Sequence, residues 1–369
     1  MKITDVKVIP LNIPNKVTQK WASGHIQVTE HLIVKIETED GTFGATEAIP
    51  RPGIYGETPQ SIYYAITKHL APQLIGEDSF NLERIWEKMT VMPWNFAAKG
   101  AIDVALYDLN GKIAKLPICQ LLGGPYRKEI PLSWCTFSPV YFGIDVVMED
   151  VKQRLAEGYK AFKIKAGDPD IDMDLILRMR KICPDDVTLS PDPNMVYSRE
   201  DALRVGKALE GIVDSFEEPL PAWDDEGRKE FAQKVNIPLL SDESTFTVED
   251  VYRQIKLGAI KRIGMKLPRT GYTLSSKIVR MAEINNMPVQ VSTQAETDLG
   301  SAACAHLAAA YKRINLPCEI SYYKKNVTDT LLLEGELVIK NGKMIVPDNK
   351  PGMGVEIDWE KVDKFAVNM

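Results

Sequence analysis

The sequence predicts an α/β protein built on a parallel β/α barrel, preceded by a smaller region of strands and helices. Three observations carry this reading. The first third runs from strands into helices, whereas from residue 126 short apolar strands alternate with helical segments. Eight such strands can be placed, which suits a closed barrel. Neither a phosphate loop nor a GxGxxG turn occurs, and an open doubly wound sheet would call for one.

The elements follow in order. HLIVKIETEDGTFGATEA reads as two strands around Asp40-Gly41, a hairpin turn signal. From Ser61 to Lys115 the periodicity is helical, with Ala101, Ala105, Leu106 and Leu109 on one face. LLGGPY ends that run, and a boundary is expected near Pro125. The barrel strands are read at IPLSWCT, AFKIKAG, VTLSPDP, IVDSFEEP, IPLLSDES, AIKRIGMKL, MPVQVSTQ and LPCEIS. Helical patterns such as REDALRVGKALEG and SAACAHLAAAYKR separate most of them. LVIKNGKMIVPDNKPGMGVEID returns to turn-rich β composition and is expected to pack beside the N-terminal region, which would make that domain discontinuous. The expected division is 1–125 and 325–369 for this domain and 126–324 for the barrel.

The 369 residues suit about two domains. With 44% hydrophobic and 26% charged residues the chain reads as an ordinary soluble protein able to bury a large core. Its net charge of −6, with no long basic run, argues against nucleic acid as a partner. No apolar stretch is long enough to span a membrane, and the opening MKITDVKVIPLNIP lacks a signal-peptide core. Five scattered cysteines (Cys119, Cys135, Cys183, Cys304, Cys318) read as buried reduced thiols, and the expected location is cytoplasmic.

Charge is concentrated where barrel strands end, which is where barrel enzymes keep their chemistry. Lys163 and Lys165 end the second strand and point the same way, because side chains two apart share a face. Asp192, Glu217, Asp242 and Lys266 end the next four strands at an even step of about 25 residues, one βα unit. Taken singly, each has an ordinary reading as a helix cap, a turn residue or a surface charge. Their joint occurrence at one period points instead to a shared site. Three carboxylates in one cleft repel each other and call for a cation between them. Oxygen-only ligation with no His or Cys nearby suits Mg²⁺ or Mn²⁺.

These residues resemble the enolase superfamily, and within it the muconate-lactonising (muconate cycloisomerase-like) subgroup of the mandelate racemase/muconate lactonizing enzyme family. FKIKAG is similar to the family's KxK strand, SFEEPLP to its ExP strand, LLSDES to its DE strand and IGMKLPRTG to its lysine strand. AAKGAIDVALYDLNGKIAKLPICQLLGG resembles its helix before the barrel, and PGMGVEID its closing segment. The resemblance covers nearly the whole chain. It implies a modified TIM barrel, (β/α)7β, under a discontinuous α+β capping domain, and a homo-oligomer. It implies Asp192, Glu217 and Asp242 as Mg²⁺ ligands, Lys165 as a base on one face of the substrate and Lys163 as its electrostatic helper. Lys266 would face the other side of the substrate, and Asn194 is retained after Pro193, where the family keeps a small residue.

The chemistry explains the residue types. A proton α to a carboxylate is a very weak acid, because its removal leaves a dianion. A Lewis acid on the carboxylate oxygen stabilises that charge, and general principles already pair a Lys or His base with Mg²⁺ in this superfamily. Like charge from Lys163, with Mg²⁺ contributing as well, is expected to lower the pKa of Lys165. Of the four histidines (His25, His31, His69, His306) none ends the seventh strand, where mandelate racemase-like members keep a base, and His306 reads as a core-helix residue.

The expected reaction is proton abstraction from a small carboxylate, followed by cycloisomerisation or by racemisation/epimerisation. Syn-dehydration, or epimerisation of a proline-type, betaine or N-acyl amino acid, remains open, as do a Schiff-base lyase and a non-catalytic barrel. Thr18–Gly24, with Trp21, reads as a lid, and Arg51–Gly56, with Tyr55, as a second loop over the substrate. Thr293 and Gln294 on the seventh strand and Glu319 on the eighth are further substrate-binding candidates. Glu319-Ile320-Ser321 stands where dipeptide epimerases carry DxD, and Glu319 resembles the lone Glu of muconate-lactonising enzymes.

Overall fold

A computed structural model of the chain describes residues 1–22, 24–333 and 337–369. Three antiparallel strands open it, the first two long: β1 (Ile3–Trp21), β2 (Gly24–Thr38) and β3 (Phe43–Ala48). Asp40-Gly41 makes the predicted β2–β3 turn. Gly41 takes φ +82°, and the Asp40 carboxylate accepts from Thr42 N. The predicted lid differs from a loop. Gln19, Lys20 and Trp21 pair with Ile26, His25 and Gly24, so the segment is the tip of the β1–β2 hairpin; Ser23 lies outside the described residues.

The predicted helical run resolves into several short helices and one long one, Phe96–Ala114. The long helix is buried on nearly all sides, because it lies between the three-stranded sheet and the helix Leu267–Ile284. Close approach requires a glycine here: a Cβ on Gly100 would stand 2.3 Å from Pro268 O. Asp103 of the long helix accepts from Tyr272 N and Thr273 N, where Leu267–Ile284 breaks at Gly271. Those two bonds anchor the helix that starts directly after Lys266.

The barrel strands are β5 (Trp134–Cys135), β6 (Ala161–Lys165), β7 (Thr188–Asp192), β8 (Phe216–Glu217), β9 (Leu239–Ser241), β10 (Arg262–Met265) and β11 (Val289–Val291). All pairings along β5-β6-β7 and β8-β9-β10-β11 are parallel. Two predicted strands come out differently. IPLSWCT is split: β4 (Glu129–Pro131) pairs antiparallel with β13 (Lys343–Ile345), which itself pairs with β12 (Ile339–Lys340), and only Trp134-Cys135 joins the barrel. The eighth position holds no extended ladder. Cys318 and Glu319 nevertheless close the ring, with Ser133 N donating to Cys318 O at 2.8 Å and Glu319 N to Val291 O at 2.9 Å. Pro317 beside them has no N–H to lengthen the pairing. This is a modified (β/α)7β barrel carrying an N-terminal capping domain.

The last residues return to the first strand: Leu11 bridges Ala366, and the Phe43 and Trp359 rings pack edge to face. All five cysteines are buried and unpaired. Among the described residues no helix is long and apolar enough to cross a membrane.

Candidate active site

Parallel strands place their last residues at one mouth, and the charged residues stand there. Lys165 and Asp192 are the last residues of β6 and β7, and Glu217 is the last of β8. Asp242 and Lys266 directly follow β9 and β10. A cleft of about 760 Å³ opens above them. Lys163, Lys165, Lys266 and Asn194 line it from the barrel. Trp21 and Tyr55 line it from the capping domain, and Thr293 and Gln294 from beyond β11. Asp192, Glu217, Asp242 and Glu319 lie fully buried beneath.

The lysines and carboxylates form one network. Lys163 Nζ stands 2.6 Å from Glu217 Oε1, 3.0 Å from Asp192 Oδ2 and 3.3 Å from Glu319 Oε2. Lys165 Nζ donates to Asp192 Oδ2 at 2.7 Å and to Asn194 Oδ1 at 2.9 Å. Lys266 Nζ lies 2.5 Å from Asp242 Oδ2 and 3.4 Å from the Tyr55 hydroxyl. Glu319 does not line the main cleft; Gln290 Nε2 donates to it at 2.8 Å, and its other oxygen faces Lys163.

Burial would suppress charge on these groups, yet pairing reverses that for most of them. Burial pushes the Lys163, Lys165 and Lys266 ammonium groups down, but the facing carboxylates outweigh it and hold all three above the ordinary lysine range. Lys163 does depress Lys165 as expected, but among these side chains Asp192 acts more strongly and the net direction is upward. Asp192 is held well below the carboxylate range: burial raises it, and Lys163 and Lys165 more than compensate. Glu217 goes well above that range through burial, which Lys163 does not offset.

Several residues at the mouth escape a sequence reading. Glu218, paired with Arg228, accepts Asp242 N at 2.8 Å and Ser244 N at 3.0 Å and so fixes the turn carrying Asp242. Arg269 approaches Asp242 Oδ1 at 3.4 Å. Arg51, which begins the second loop that the sequence places over the substrate, donates to Gln294 O and ties capping domain to barrel. Lys325 reaches the cleft from the helix Tyr323–Asn326, beyond the eighth position. The lysine pair in YYKKN, directly after a strand end, was its only signal. Non-glycine residues with positive φ gather at the mouth as well: Asn194 (+47°), Met195 (+68°), Glu218 (+31°) and Ala295 (+63°). Such backbone costs about 1–3 kcal/mol per residue and tends to cluster at functional sites.

A divalent cation fits this donor set. Asp192 and Glu217 converge with Glu319 on one positive charge, the Lys163 ammonium, Asp242 faces the Lys266 ammonium, and Glu217 Oε2 is buried without a hydrogen-bond partner. Among the described residues no three acidic, His or Cys side chains already stand close enough to form a ready-made metal centre, since the ammonium groups occupy the space between them.

Residues 3–123 match the family model for the mandelate racemase/muconate lactonizing enzyme N-terminal domain. Residues 146–362 match that for the enolase C-terminal domain-like fold. An L-Ala-D/L-Glu epimerase of Clostridium acetobutylicum is 31% identical, over 96% of this chain and 99% of its own. A muconate lactonizing enzyme of Mycobacterium smegmatis, solved with muconolactone, superposes with a TM-score of 0.94 at 30% identity, covering all of both chains. A dipeptide epimerase of Cytophaga hutchinsonii, solved with Mg and D-Ala-L-Val, superposes with a TM-score of 0.91 at 27% identity, over 99% of this chain and 98% of its own.

Proposed function

Because the chain belongs to the mandelate racemase/muconate lactonizing enzyme family of the enolase superfamily, and is an isomerase of the muconate-lactonising type, we propose that it abstracts the proton α to a substrate carboxylate. The outcome is then cycloisomerisation or racemisation/epimerisation. The observation that carries this reading is the pair of ammonium groups, Lys165 and Lys266, which enter one cleft from β6 and from the end of β10. We assign Asp192, Glu217 and Asp242 as the residues that would hold Mg²⁺, with Mn²⁺ as a substitute. When bound, the metal would supply a Lewis acid for the substrate carboxylate oxygen and draw carboxylate charge away from the lysines.

The side chains divide the remaining work. Lys165, oriented by Asn194, removes or returns the proton on one face. Lys266, held beside Tyr55, does so on the other. Lys163 keeps its charge and offsets the negative charge that develops on the substrate. Trp21 and Tyr55 exclude water from above, and Thr293 and Gln294 flank the substrate. Residues 1–125 and 325–369 act as the capping unit over a barrel of 126–324, a division supported by the Leu11–Ala366 pairing.

The test is solvent exchange. The protein is incubated in D₂O with pooled N-acyl amino acids, dipeptides, prolines, betaines, sugar acids and muconates, with Mg²⁺ or with chelator. Mg²⁺-dependent deuterium at an α-position, or an isomerised product, is expected. Absence of both across the pool would overturn the reading.

A further inference from the structure

A buried carboxylate joins the two loops that follow Lys165 and Asn194. Asp172 stands in the first turn of the helix Pro169–Ile182 and is fully buried. It is not that helix's cap, because Asp168 already accepts from Asp170 N and Ile171 N at 3.1 Å. Asp172 Oδ2 instead accepts from two separate loops, from Gly167 N at 2.7 Å and from the Tyr197 hydroxyl at 2.6 Å. Gly167 lies two residues after Lys165, past the end of β6, and Tyr197 three after Asn194, past the end of β7. Burial pushes the Asp172 carboxyl up to about 6, and above that pH it is an ionised acceptor. The turn after β7 needs such a tie. Asn194 and Met195 have φ of +47° and +68°, and strained backbone persists only where its surroundings hold it. From the β8 side, Glu218 O accepts Met195 N at 2.9 Å and Pro219 O accepts Tyr197 N at 3.2 Å. Asp172 supplies the hold on the β6 side. Lys165 Nζ bridges from β6 to the same turn, donating to Asn194 Oδ1 at 2.9 Å.

We propose that Asp172 and Tyr197 are positioning residues for Lys165. By fixing the spacing of the loops after β6 and β7, they hold its ammonium on Asn194 and aim it at one face of the substrate. The inference deepens the proposed function and rests on it for the role of Lys165. Lys266 follows β10 and belongs to a different set of contacts, with Asp242 and Tyr55. The effect of losing the tie is therefore one-sided. A general loosening of the barrel, or weaker metal binding through Asp192, would slow both faces.

The test follows deuterium wash-in from each enantiomer of an exchanging substrate at saturating Mg²⁺, in wild type, Tyr197→Phe, Asp172→Leu and Asp172→Asn. Lys165→Ala and Lys266→Ala assign the faces. Tyr197→Phe and Asp172→Leu should lower the maximal exchange rate on the Lys165 face by roughly 10- to 100-fold, the cost of misplacing a reacting group by about 1 Å. KM for that enantiomer, and exchange on the Lys266 face, should stay at wild-type values. Asp172→Asn should keep most of the rate, because an amide oxygen has two lone pairs and can accept both bonds. An equal loss on both faces, no loss in either Tyr197→Phe or Asp172→Leu, or a loss in Asp172→Asn as large as in Asp172→Leu would each overturn the proposal. The tie itself is read without turnover, from amide hydrogen exchange of the resting protein. Residues 166–167 and 194–197 should exchange faster in Tyr197→Phe and Asp172→Leu than in wild type, and unchanged protection in both would overturn the proposal. Should Asp172→Leu fail to fold by its melting curve, Tyr197→Phe decides, since it keeps its ring beside Phe216. If wild type exchanges deuterium with neither enantiomer, it is the proposed function that fails, and amide exchange still decides whether Asp172 ties the two loops.

Discussion

Lys163 and Lys165 bond the same oxygen, Asp192 Oδ2, at 3.0 and 2.7 Å. Two residues of one strand thus converge on a single carboxylate of the next, because β6 and β7 run in register with Lys165 beside Asp192. The shared oxygen keeps two ammonium groups together in a buried site and ties their charge to whatever else engages Asp192.

Replacing Lys163 with Met should be costly for the metal-free protein. It leaves Glu217, Asp192 and Glu319 around an apolar side chain, and breaking a buried ion pair from one side costs about 3–5 kcal/mol. Urea unfolding in chelator should show a loss of that order, and Mg²⁺ should restore part of it. A variant as stable as wild type in chelator would mean that Lys163 does not hold the carboxylates together.

Asp242→Asn should weaken Mg²⁺ binding, since it removes one of the three assigned anionic ligands. Calorimetric titration with MgCl₂ should show at least about a tenfold rise in Kd, equivalent to roughly 1.4 kcal/mol. An unchanged Kd would remove Asp242 from the ligand set. The same variant should leave the fold intact, because the turn is held by Glu218 accepting from the backbone of Asp242 and Ser244.

Gly100→Val tests how the long capping helix seats on the barrel. The new Cβ would meet Pro268 O at 2.3 Å, two residues from Lys266. Overpacking of this kind costs about 1–3 kcal/mol. Denaturant unfolding should report that loss, and the rate of α-proton exchange should fall as well if the Lys266 end of the helix shifts. Full stability in the variant would contradict the close seating.

His306 sets an acid limit. Its Nδ1 accepts from Cys119 N at 3.3 Å, and Nε2 donates to Met353 O at 2.8 Å, so it crosslinks three segments as a neutral ring. Burial lowers its pKa from 6.5 to about 4. The unfolded chain therefore takes up a proton between pH 6.5 and 4 that the folded chain refuses. The stabilisation is complete above pH 6.5 and is lost as pH falls toward 4. The stability gap between wild type and His306→Gln should shrink by roughly 3 kcal/mol across that window. A gap that does not change with pH would contradict the buried neutral ring.

The strand ends were legible because a βα unit repeats at a nearly constant length, so charges one unit apart fall at one mouth. Asp40-Gly41 was legible because its turn geometry needs that residue type. What local pattern missed was decided by tertiary contact. IPLSWCT divides because Glu129–Pro131 finds β13, a partner more than 200 residues away. The hairpin tip at Trp21 lacks an alternating pattern, and its strands are set by pairing with each other. Lys325 reaches the cleft from a short helix, which carries no period to read. How strongly Asp192 opposes Lys163 at Lys165 was not legible, because the sequence shows Lys163 as a neighbour two residues away but not the distance to Asp192.

The two-lysine account is tested most directly by following α-deuterium wash-in separately from each enantiomer of an exchanging substrate, in wild type, Lys165→Ala and Lys266→Ala, with Mg²⁺ present. Each lysine should serve one face, so each variant should lose exchange from one enantiomer by roughly 10²- to 10⁴-fold and retain measurable exchange from the other. Undiminished exchange from both enantiomers in Lys165→Ala or in Lys266→Ala would contradict the account.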